Sequence, residues 1–250
     1  MPDPTVTQPN MWTEPVQVRR GEVWAMGKHR LMCGDSTSSE GVARLMDGQL
    51  AQLGLHDPPY GLRAIFKDKR WRQADGKKYS GVQRNFFPPV SGDDQLFNPH
   101  HLLTSGKIVV IWGANHFADK LPSSSAWIVW DKRIDIPSNS FSDGEVAWVS
   151  TGNRLQIIRH RWHGMIKDSE RGIRRIHPTQ KPVFIFSKII DQYTQESDLV
   201  TDWYAGSGTT LIAAENTNRI AYLMEIEPTY CQLAIQRWQE HTGQQAERIA

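Results

Sequence analysis

The chain has 250 residues, of which 39% are hydrophobic and 22% are charged, a composition typical of a folded globular protein and not of a disordered one. The net charge of +2 decides nothing by itself, and the longest apolar runs, such as residues 108–112, are too short to cross a bilayer. Two isolated cysteines, Cys33 and Cys231, argue against a disulfide framework or a structural zinc site, and we expect two buried thiols in a reducing cytosol.

The first predicted elements lead to a proline-rich turn. Residues 1–20 lack the basic start and apolar core of a signal peptide and are predicted to form a loose tail. Residues 21–33 alternate enough to predict a small hairpin or strand, and residues 38–48 have the apolar spacing of a short helix. Residues 50–56 then predict a strand that runs into the sequence DPPY at positions 57–60.

The DPPY turn combines a carboxylate, a stiff backbone and a ring. Because proline fixes its own φ and restricts the residue before it, Asp57 and Pro58 are expected to be extended and rigid. Their oxygens are then fixed acceptors beside the ring of Tyr60. This arrangement predicts a cradle for a flat group that carries N–H donors, whereas the simpler alternative is a plain turn next to a core aromatic.

Two segments concentrate positive charge. Residues 61–90, which show little periodicity, and residues 153–181 each hold eight Lys or Arg against two acids, so the rest of the chain must carry −10. Aromatic residues lie among these charges, as they do in surfaces that bind nucleic acid. The sequence therefore favours a polyanion partner, with nucleic acid first, over two solvated loops.

The remaining elements predict an α/β sheet. Short apolar runs at residues 107–113, 126–132, 145–150 and 155–160 indicate strands. The last third predicts a helix at 182–194, a strand at 198–204, a glycine turn at 205–210, a helix at 210–218, a strand at 220–226 and a helix at 227–243 that ends at Gly243. This order of strand, glycine turn, helix and strand is half of a doubly wound sheet.

The glycine turn lies between two acids. Gly206 and Gly208 allow the backbone to approach a ligand, and the helix that follows favours an anionic group. Asp202 ends the preceding strand, and Glu225 ends the next one, where an acid of a nucleotide-binding sheet contacts ribose hydroxyls. A ligand with a carboxylate, an ammonium group and a ribose would satisfy these features, and S-adenosylmethionine has all three. The structural alternatives are a strand-end cap for Asp202 and a helix N-terminal acid for Glu225.

Three motifs together resemble a known family. DPPY (57–60), HPTQKP (177–182) and DWYAGSGTT (202–210) occur in the order typical of the β group of DNA amino-methyltransferases. GDS (34–36) and EIEPTYC (225–231) also fall where that group has motifs. The resemblance extends over residues 21–243, although residues 61–175 match only in general character.

The resemblance implies a Rossmann-like methyltransferase fold with a mostly parallel central sheet, helices on both faces and a permuted motif order. It implies S-adenosylmethionine as cofactor, with Asp202 on its ammonium group, Glu225 on its ribose and Asp35 near its adenine. Its carboxylate would be held by Gly206, Ser207, Gly208, Thr209 and Thr210, with Lys181 assisting. The family more often has Pro and Phe where this chain has Trp203 and Tyr204; Tyr204 keeps a ring, but Trp203 lacks the stiffness of proline.

The resemblance also assigns the chemistry. Asp57 and the Pro58 carbonyl, followed by Pro59, would accept the N–H groups of an exocyclic amine, and Tyr60 would stack on its base after the base is flipped out of the duplex. The elements that contact DNA would lie in residues 61–90 and 133–175. The candidate DNA-binding residues are Lys67, Lys69, Arg70, Trp71, Arg72, Arg159, Arg161 and Arg174, with Trp162 as a further candidate for base contact.

The sequence thus predicts one methyltransferase domain over residues 21–250 that modifies the N6-amino group of adenine in duplex DNA in the cytoplasm of a bacterium or of a phage-infected host. An acid before PPY is more typical of adenine enzymes than of cytosine N4 enzymes. A cytosine N4 methyltransferase, an RNA adenine methyltransferase and a catalytically inactive DNA-binding regulator remain alternatives. No metal site is predicted, because His160 and His163 lack ligand spacing, and the sequence leaves a homodimer open.

Overall fold

The structure is a computed structural model that describes residues 16–61, 91–93, 95–135, 137, 142–163, 166–172 and 180–250. Its strands are β1 (Val23–Met26), β2 (His29–Cys33), β3 (Leu53–His56), β4 (Ile108–Trp112), β5 (Trp127–Asp131), β6 (Gly144–Val149), β7 (Leu155–Arg159), β8 (Trp162–His163), β9 (Ile166–Lys167), β10 (Leu199–Asp202), β11 (Ile220–Glu225) and β12 (Glu247–Arg248). Its α-helices are α1 (Ser39–Met46), α2 (Val183–Tyr193), α3 (Thr209–Asn216) and α4 (Pro228–Thr242), and short 3₁₀ helices lie at residues 100–102, 114–116 and 118–120.

One sheet organises the described residues. Its strand order is β12-β1-β2-β11-β10-β3-β4-β6-β5-β7, and β8 pairs with β9 in a separate two-stranded ribbon. The five strands from β2 to β4 in this order are parallel, while β6 runs antiparallel to both of its neighbours. The mostly parallel central sheet expected from the sequence is therefore confirmed.

Alternating side chains of the strands bury two apolar layers, because successive residues of a strand point to opposite faces. Along β4, Val110 and Trp112 face the core layer beneath α2, α3 and α4, whereas Val109 and Ile111 face the other layer. That second layer includes Leu45 of α1 and residues of the short 3₁₀ helices. The sheet thus has helices on both faces, as predicted.

The strand order places a crevice between β3 and β10. These two strands are parallel neighbours, with Val200 paired to Leu53 and Thr201 to Gly54. The chain leaves β3 toward β4 on one side and leaves β10 toward β11 on the other. Ligands of open α/β sheets bind where the connections diverge in this way, beyond the carboxyl ends of the strands.

The predicted elements of the last third are present, with shifts of a few residues at their ends. The strand predicted over 198–204 ends at Asp202, because the chain turns there to present its glycine segment. The predicted tail is mostly outside the described residues, but Val18, which falls within it, is only 5% exposed and packs in the core. Helix α4 ends as predicted at Gly243, whose φ of +72° suits a left-handed cap.

Several expectations about special sites can be compared with the described residues. Cys33 and Cys231 are both free and buried, which confirms the prediction of two buried thiols. Within the described ranges, no helix has both the length and the apolar character needed to cross a membrane. The same ranges contain no group of three His, Cys, Asp or Glu side chains arranged to hold a metal ion.

We expect Leu223→Ala to lower the free energy of unfolding by about 2–5 kcal/mol, because Leu223 is fully buried in central strand β11 and the substitution leaves a cavity. The matched control is Leu155→Ala on edge strand β7, where the side chain is 59% exposed and the expected change is below about 0.5 kcal/mol. Urea unfolding measures both changes. Equal losses in the two variants would contradict the described core.

Candidate active site

A cavity of about 370 Å³ opens at the carboxyl ends of β2, β3, β10 and β11. It brings together segments that are far apart in sequence, since its walls come from residues 34–37, 57–60, 91–93, 95–98, 101, 180–181, 186, 202–207, 209, 225–226 and 230. The predicted site residues that line it are Asp35, Asp57, Pro58, Pro59, Tyr60, Lys181, Asp202, Tyr204, Gly206, Ser207, Thr209 and Glu225. The predicted catalytic turn and most of the predicted cofactor residues therefore share one cavity.

Two predicted cofactor residues, Gly208 and Thr210, lie behind this wall instead of on it. Gly208 has a φ of +77°, and a Cβ there would lie 3.0 Å from the Cβ of Ala234, so this glycine allows α4 to approach the turn. Thr210 is fully buried and donates its hydroxyl to Oδ2 of Asp202. The described geometry therefore gives both residues a supporting position.

The two acids at the strand ends are held by the chain around them. Oδ1 of Asp202 accepts the N–H of Tyr204 at 3.0 Å. The carboxylate of Glu225 accepts the N–H groups of Gly206 at 2.8 Å and Glu227 at 2.9 Å. Burial raises the pKa of Glu225 to about 7 even though these two N–H groups favour the charged form. Glu225 is thus an oriented carboxylate at the cavity wall that titrates near neutral pH.

A buried histidine outside the predicted site residues, His56, joins the two motifs. Nδ1 of His56 accepts the N–H of Trp203 at 3.1 Å, and its Nε2 lies 2.6 Å from Oγ of Ser105. Since Nδ1 accepts, the ring proton belongs on Nε2, where it donates to Ser105. A proline in place of Trp203 would have no N–H to donate. Here a hydrogen bond to the neighbouring strand therefore fixes the turn that proline stiffness would otherwise fix.

The DPPY turn is held by a buried lysine. Oδ1 of Asp57 accepts the hydroxyl of Tyr60 at 2.6 Å and also binds Nζ of Lys181, which lies 3.0 Å from the Tyr60 hydroxyl. Burial raises the pKa of Asp57, although the ammonium group of Lys181 opposes that shift. Burial likewise disfavours the charged form of Lys181, but Asp57 and Glu145 outweigh it and raise the lysine pKa well above its usual range.

Lys181 was predicted to assist in holding a cofactor carboxylate, but its side chain points toward Asp57 and Glu145. Its ammonium group contacts Asp57 and lies 3.1 Å from Oε2 of Glu145 on β6. Only its backbone oxygen is near the glycine turn, where it accepts the hydroxyl of Thr209 at 3.4 Å. Glu145 also binds Lys132, so a row of alternating charges leads from the surface to Asp57. No sequence motif marked Glu145.

Aromatic and histidine rings shape the rest of the cavity. The ring of Tyr60 stacks on His116 with centroids 5.2 Å apart, and it lies so close to Gly113 that a Cβ there would come within 2.0 Å of it. Burial raises the pKa of Tyr204 to about 12, and its hydroxyl lies 2.9 Å from Nε2 of His101. The ring of Tyr204 therefore lines the cavity and is held there by its contact with His101.

The predicted DNA-binding residues are only partly within the described ranges. Arg159 is exposed and lies 3.8 Å from Asp131, and Arg161 is bound to Asp168 at 2.9 Å. The prediction of base contact for Trp162 is wrong: its side chain is only 6% exposed and packs in the core, with Lys167 over its ring. The remaining candidates lie outside the described residues: Lys67, Lys69, Arg70, Trp71, Arg72 and Arg174.

Residues 151–236 match the DNA methylase family model N6_N4_Mtase. The match contains Lys181, Asp202 and Glu225, whereas the turn at residues 57–60 precedes it. Among solved structures, the complex of M1.HpyAVI with SAM is similar, with a TM-score of 0.49 and 20% identity over 83% of this chain and 98% of that chain. Similarity at this level does not inform the activity of this chain.

Two curated relatives are type II methyltransferases. The chain is 33% identical to M2.MboI of Moraxella bovis over 119 residues, and the aligned segment covers 48% of this chain and 42% of that protein. It is 31% identical over 116 residues to M2.LlaDCHI of Lactococcus lactis subsp. cremoris, which covers 46% of this chain and 42% of that protein. The chain thus matches less than half the length of these relatives. The family model, over residues 151–236, and these relatives, over less than half of their length, show that the chain is similar to N6/N4 DNA methylases.

Proposed function

We propose that this chain transfers a methyl group from S-adenosylmethionine to an exocyclic amino group of a base in double-stranded DNA. The observation that carries the proposal is the connection between the DPPY turn and the family-matched segment. Lys181 binds Asp57 across 124 positions, and Trp203 donates to His56 across 147 positions. A fixed acceptor for an amine and a set of groups suited to the cofactor therefore face the same cavity.

The cavity residues fit S-adenosylmethionine group by group. Asp202 is an acid suited to the ammonium group, and the turn at Gly206, Ser207 and Thr209 would border the carboxylate. Ser207 and Thr209 would supply the N–H and hydroxyl donors, because the N–H of Gly206 is bound to Glu225. The oriented carboxylate of Glu225 suits ribose hydroxyls, and we place the adenine near Asp35. Gly208 and Thr210 would support this arrangement from behind, and Tyr204 would border it.

The residues of the DPPY turn would activate the amine. The cofactor, when bound, supplies a sulfonium methyl group, whose carbon–sulfur bond breaks as the nitrogen–carbon bond forms. Asp57 and the carbonyl of Pro58 would accept the amine N–H groups, so that the nitrogen lone pair is directed at the methyl group. Pro59 keeps the turn rigid, and Tyr60 would stack on the flipped base. Within the described residues, Oδ2 of Asp57 receives no donor, which leaves it free for this contact.

We propose adenine N6 as the target, because an acid precedes PPY in this chain. Cytosine N4 is the second candidate, since the same acceptors suit its amine. Structured RNA would present the same amine to the same turn, and an inactive regulator would bind DNA without transferring a methyl group. The basic segments at residues 61–90 and 133–175 are the proposed DNA-binding elements.

Expression in a host that lacks DNA methylation, followed by mapping of modified bases across its genome, tests this proposal. We expect N6-methyladenine at a short recurring sequence, with Asp57→Ala as the inactive control. N4-methylcytosine at such a sequence would keep the methyl transfer and refute the choice of base. If neither base is modified, competition between duplex DNA and structured RNA in vitro separates an RNA enzyme from an inactive regulator.

Asp57→Asn is expected to reduce kcat by about 10²-fold or more, because the amide is a weaker acceptor for the amine at the point where charge develops. The affinity for S-adenosylmethionine should change little, since the proposed contacts of the cofactor are with Asp202 and Glu225 and not with Asp57. Single-turnover methylation and calorimetric binding measure the two effects. Asp47→Asn, at an exposed carboxylate that ends α1, is the control. Full activity of Asp57→Asn would refute the acceptor role.

The affinity for S-adenosylmethionine should decrease as the pH is lowered, because Glu225 becomes protonated. Its pKa of about 7 means that the carboxylate is charged above pH 7 and is lost as a strong acceptor below it. We expect binding to weaken roughly tenfold between pH 8 and pH 6, and Glu225→Gln to bind weakly with little dependence on pH. Calorimetry across this range measures both. The same slope in both proteins would exclude Glu225 as the titrating group.

A further inference from the structure

Glu145 lies one step behind the DPPY turn and is linked to it through Lys181. Its Oε2 is 3.1 Å from Nζ of Lys181, and its Oε1 binds Nζ of Lys132. Lys181 is only 5% exposed and also binds Asp57. The four side chains Lys132, Glu145, Lys181 and Asp57 thus form a row of alternating charges with a net charge of zero, which we call the charge row.

The charge row matters because methyl transfer moves positive charge. As the nitrogen–carbon bond forms and the carbon–sulfur bond breaks, the electron pair of the carbon–sulfur bond stays on sulfur, and the positive charge passes to the amine nitrogen until that nitrogen loses a proton to solvent. The amine end of the cavity must therefore tolerate a cation in the transition state. A buried Lys181 without a second counterion would oppose this transfer, because it would neutralise Asp57 completely.

We propose that Glu145 is a positioning residue of methyl transfer, whose carboxylate shares the ammonium group of Lys181 and so leaves Asp57 its negative character toward the amine. This inference rests on the proposed function and extends it to a strand, β6, outside every motif. Glu145 suits the role because it stays ionised: burial disfavours its charge, but Lys181 and Lys132 prevail and lower its pKa to about 2.

The geometry also explains how Lys181 is held. Its Nζ lies 5.6 Å from the ring centroids of both Tyr60 and Trp112, so its position between Asp57 and Glu145 is bounded by aromatic faces. Within the described residues, the charged and titratable groups that act on Asp57 include Lys181, Glu145 and Tyr60. Removing the negative charge of Glu145 leaves the charge row with a net charge of +1. This excess positive charge lowers the pKa of Asp57, and a less basic carboxylate is a weaker acceptor for the amine.

Glu145→Gln keeps the shape and removes the charge. We expect kcat to fall about tenfold or more, less than for a group that contacts the amine, while the KM for S-adenosylmethionine changes less than kcat. The acidic limb of the rate profile should move to lower pH, because the pKa of Asp57 falls with the loss of Glu145. Unfolding by heat and calorimetric cofactor binding check that the variant is folded.

Lys132→Gln/Glu145→Gln separates the sharing of Lys181 from the net charge of the row. The double variant returns the charge row to zero but leaves Asp57 as the one carboxylate of the row beside Lys181, so we expect its kcat to stay close to that of Glu145→Gln. Lys132→Gln alone should move the acidic limb in the opposite direction, to higher pH, and this variant keeps the test decisive if Glu145→Gln does not fold. Full kcat in Glu145→Gln, or full kcat in the double variant, would overturn the inference.

Direct titration of Asp57 gives an outcome that does not depend on turnover. The side-chain carboxyl carbons of aspartate can be labelled with ¹³C, and Asp57→Asn assigns the signal of Asp57. We expect the pKa of Asp57 to be lower in Glu145→Gln than in the wild type, and an unchanged pKa would overturn the inference. Absence of methyl transfer by the wild type would instead refute the proposed function, with this titration still deciding the role of Glu145.

Discussion

The parallel pairing of β3 with β10 is the constraint on which the candidate site depends. It sets the end of the DPPY strand beside the end of the strand that carries Asp202, and the bond from the Trp203 N–H to His56 fixes the two turns relative to each other. Since the connections from these strands leave in opposite directions, the space above them stays open. A hydrogen bond from the turn after β10 to the last residue of β3 thus fixes the relative position of the two motifs.

Electrostatics complete the site from the other side. Lys181 is buried beside Asp57, and a buried ammonium group is tolerated only where its charge is matched. Here two carboxylates, Asp57 and Glu145, share that task. The site is therefore tuned by a balance among groups that include one on β6, far from the glycine turn. Glu225, by contrast, is held by backbone N–H groups, and burial raises its pKa to about 7, so it is protonated more easily than Glu145.

Much of this arrangement was predictable from local sequence. Asp57, Tyr60, Asp202 and the glycine turn follow from short motifs, and the strand and helix order follows from apolar periodicity. His56 and Glu145 were not predicted, because their roles depend on which strands become neighbours. A polar residue in the buried run before DPPY was the available signal for His56. The prediction for Trp162 was wrong for a different reason. Aromatic residues among cations suggest an exposed surface that binds nucleic acid, but this ring packs in the core.

The distance along the chain between the two halves of the cavity has a consequence for its biosynthesis. Strand β3 emerges from the ribosome early, but its neighbour β10 follows more than 140 positions later. Contacts this remote in sequence form late, because a long loop must close before they contribute. A nascent chain that has emerged only as far as β7 holds the DPPY turn without Lys181 or the glycine turn. Such a chain has no complete pocket, so the two halves of the cavity can meet only after β10 and β11 have emerged.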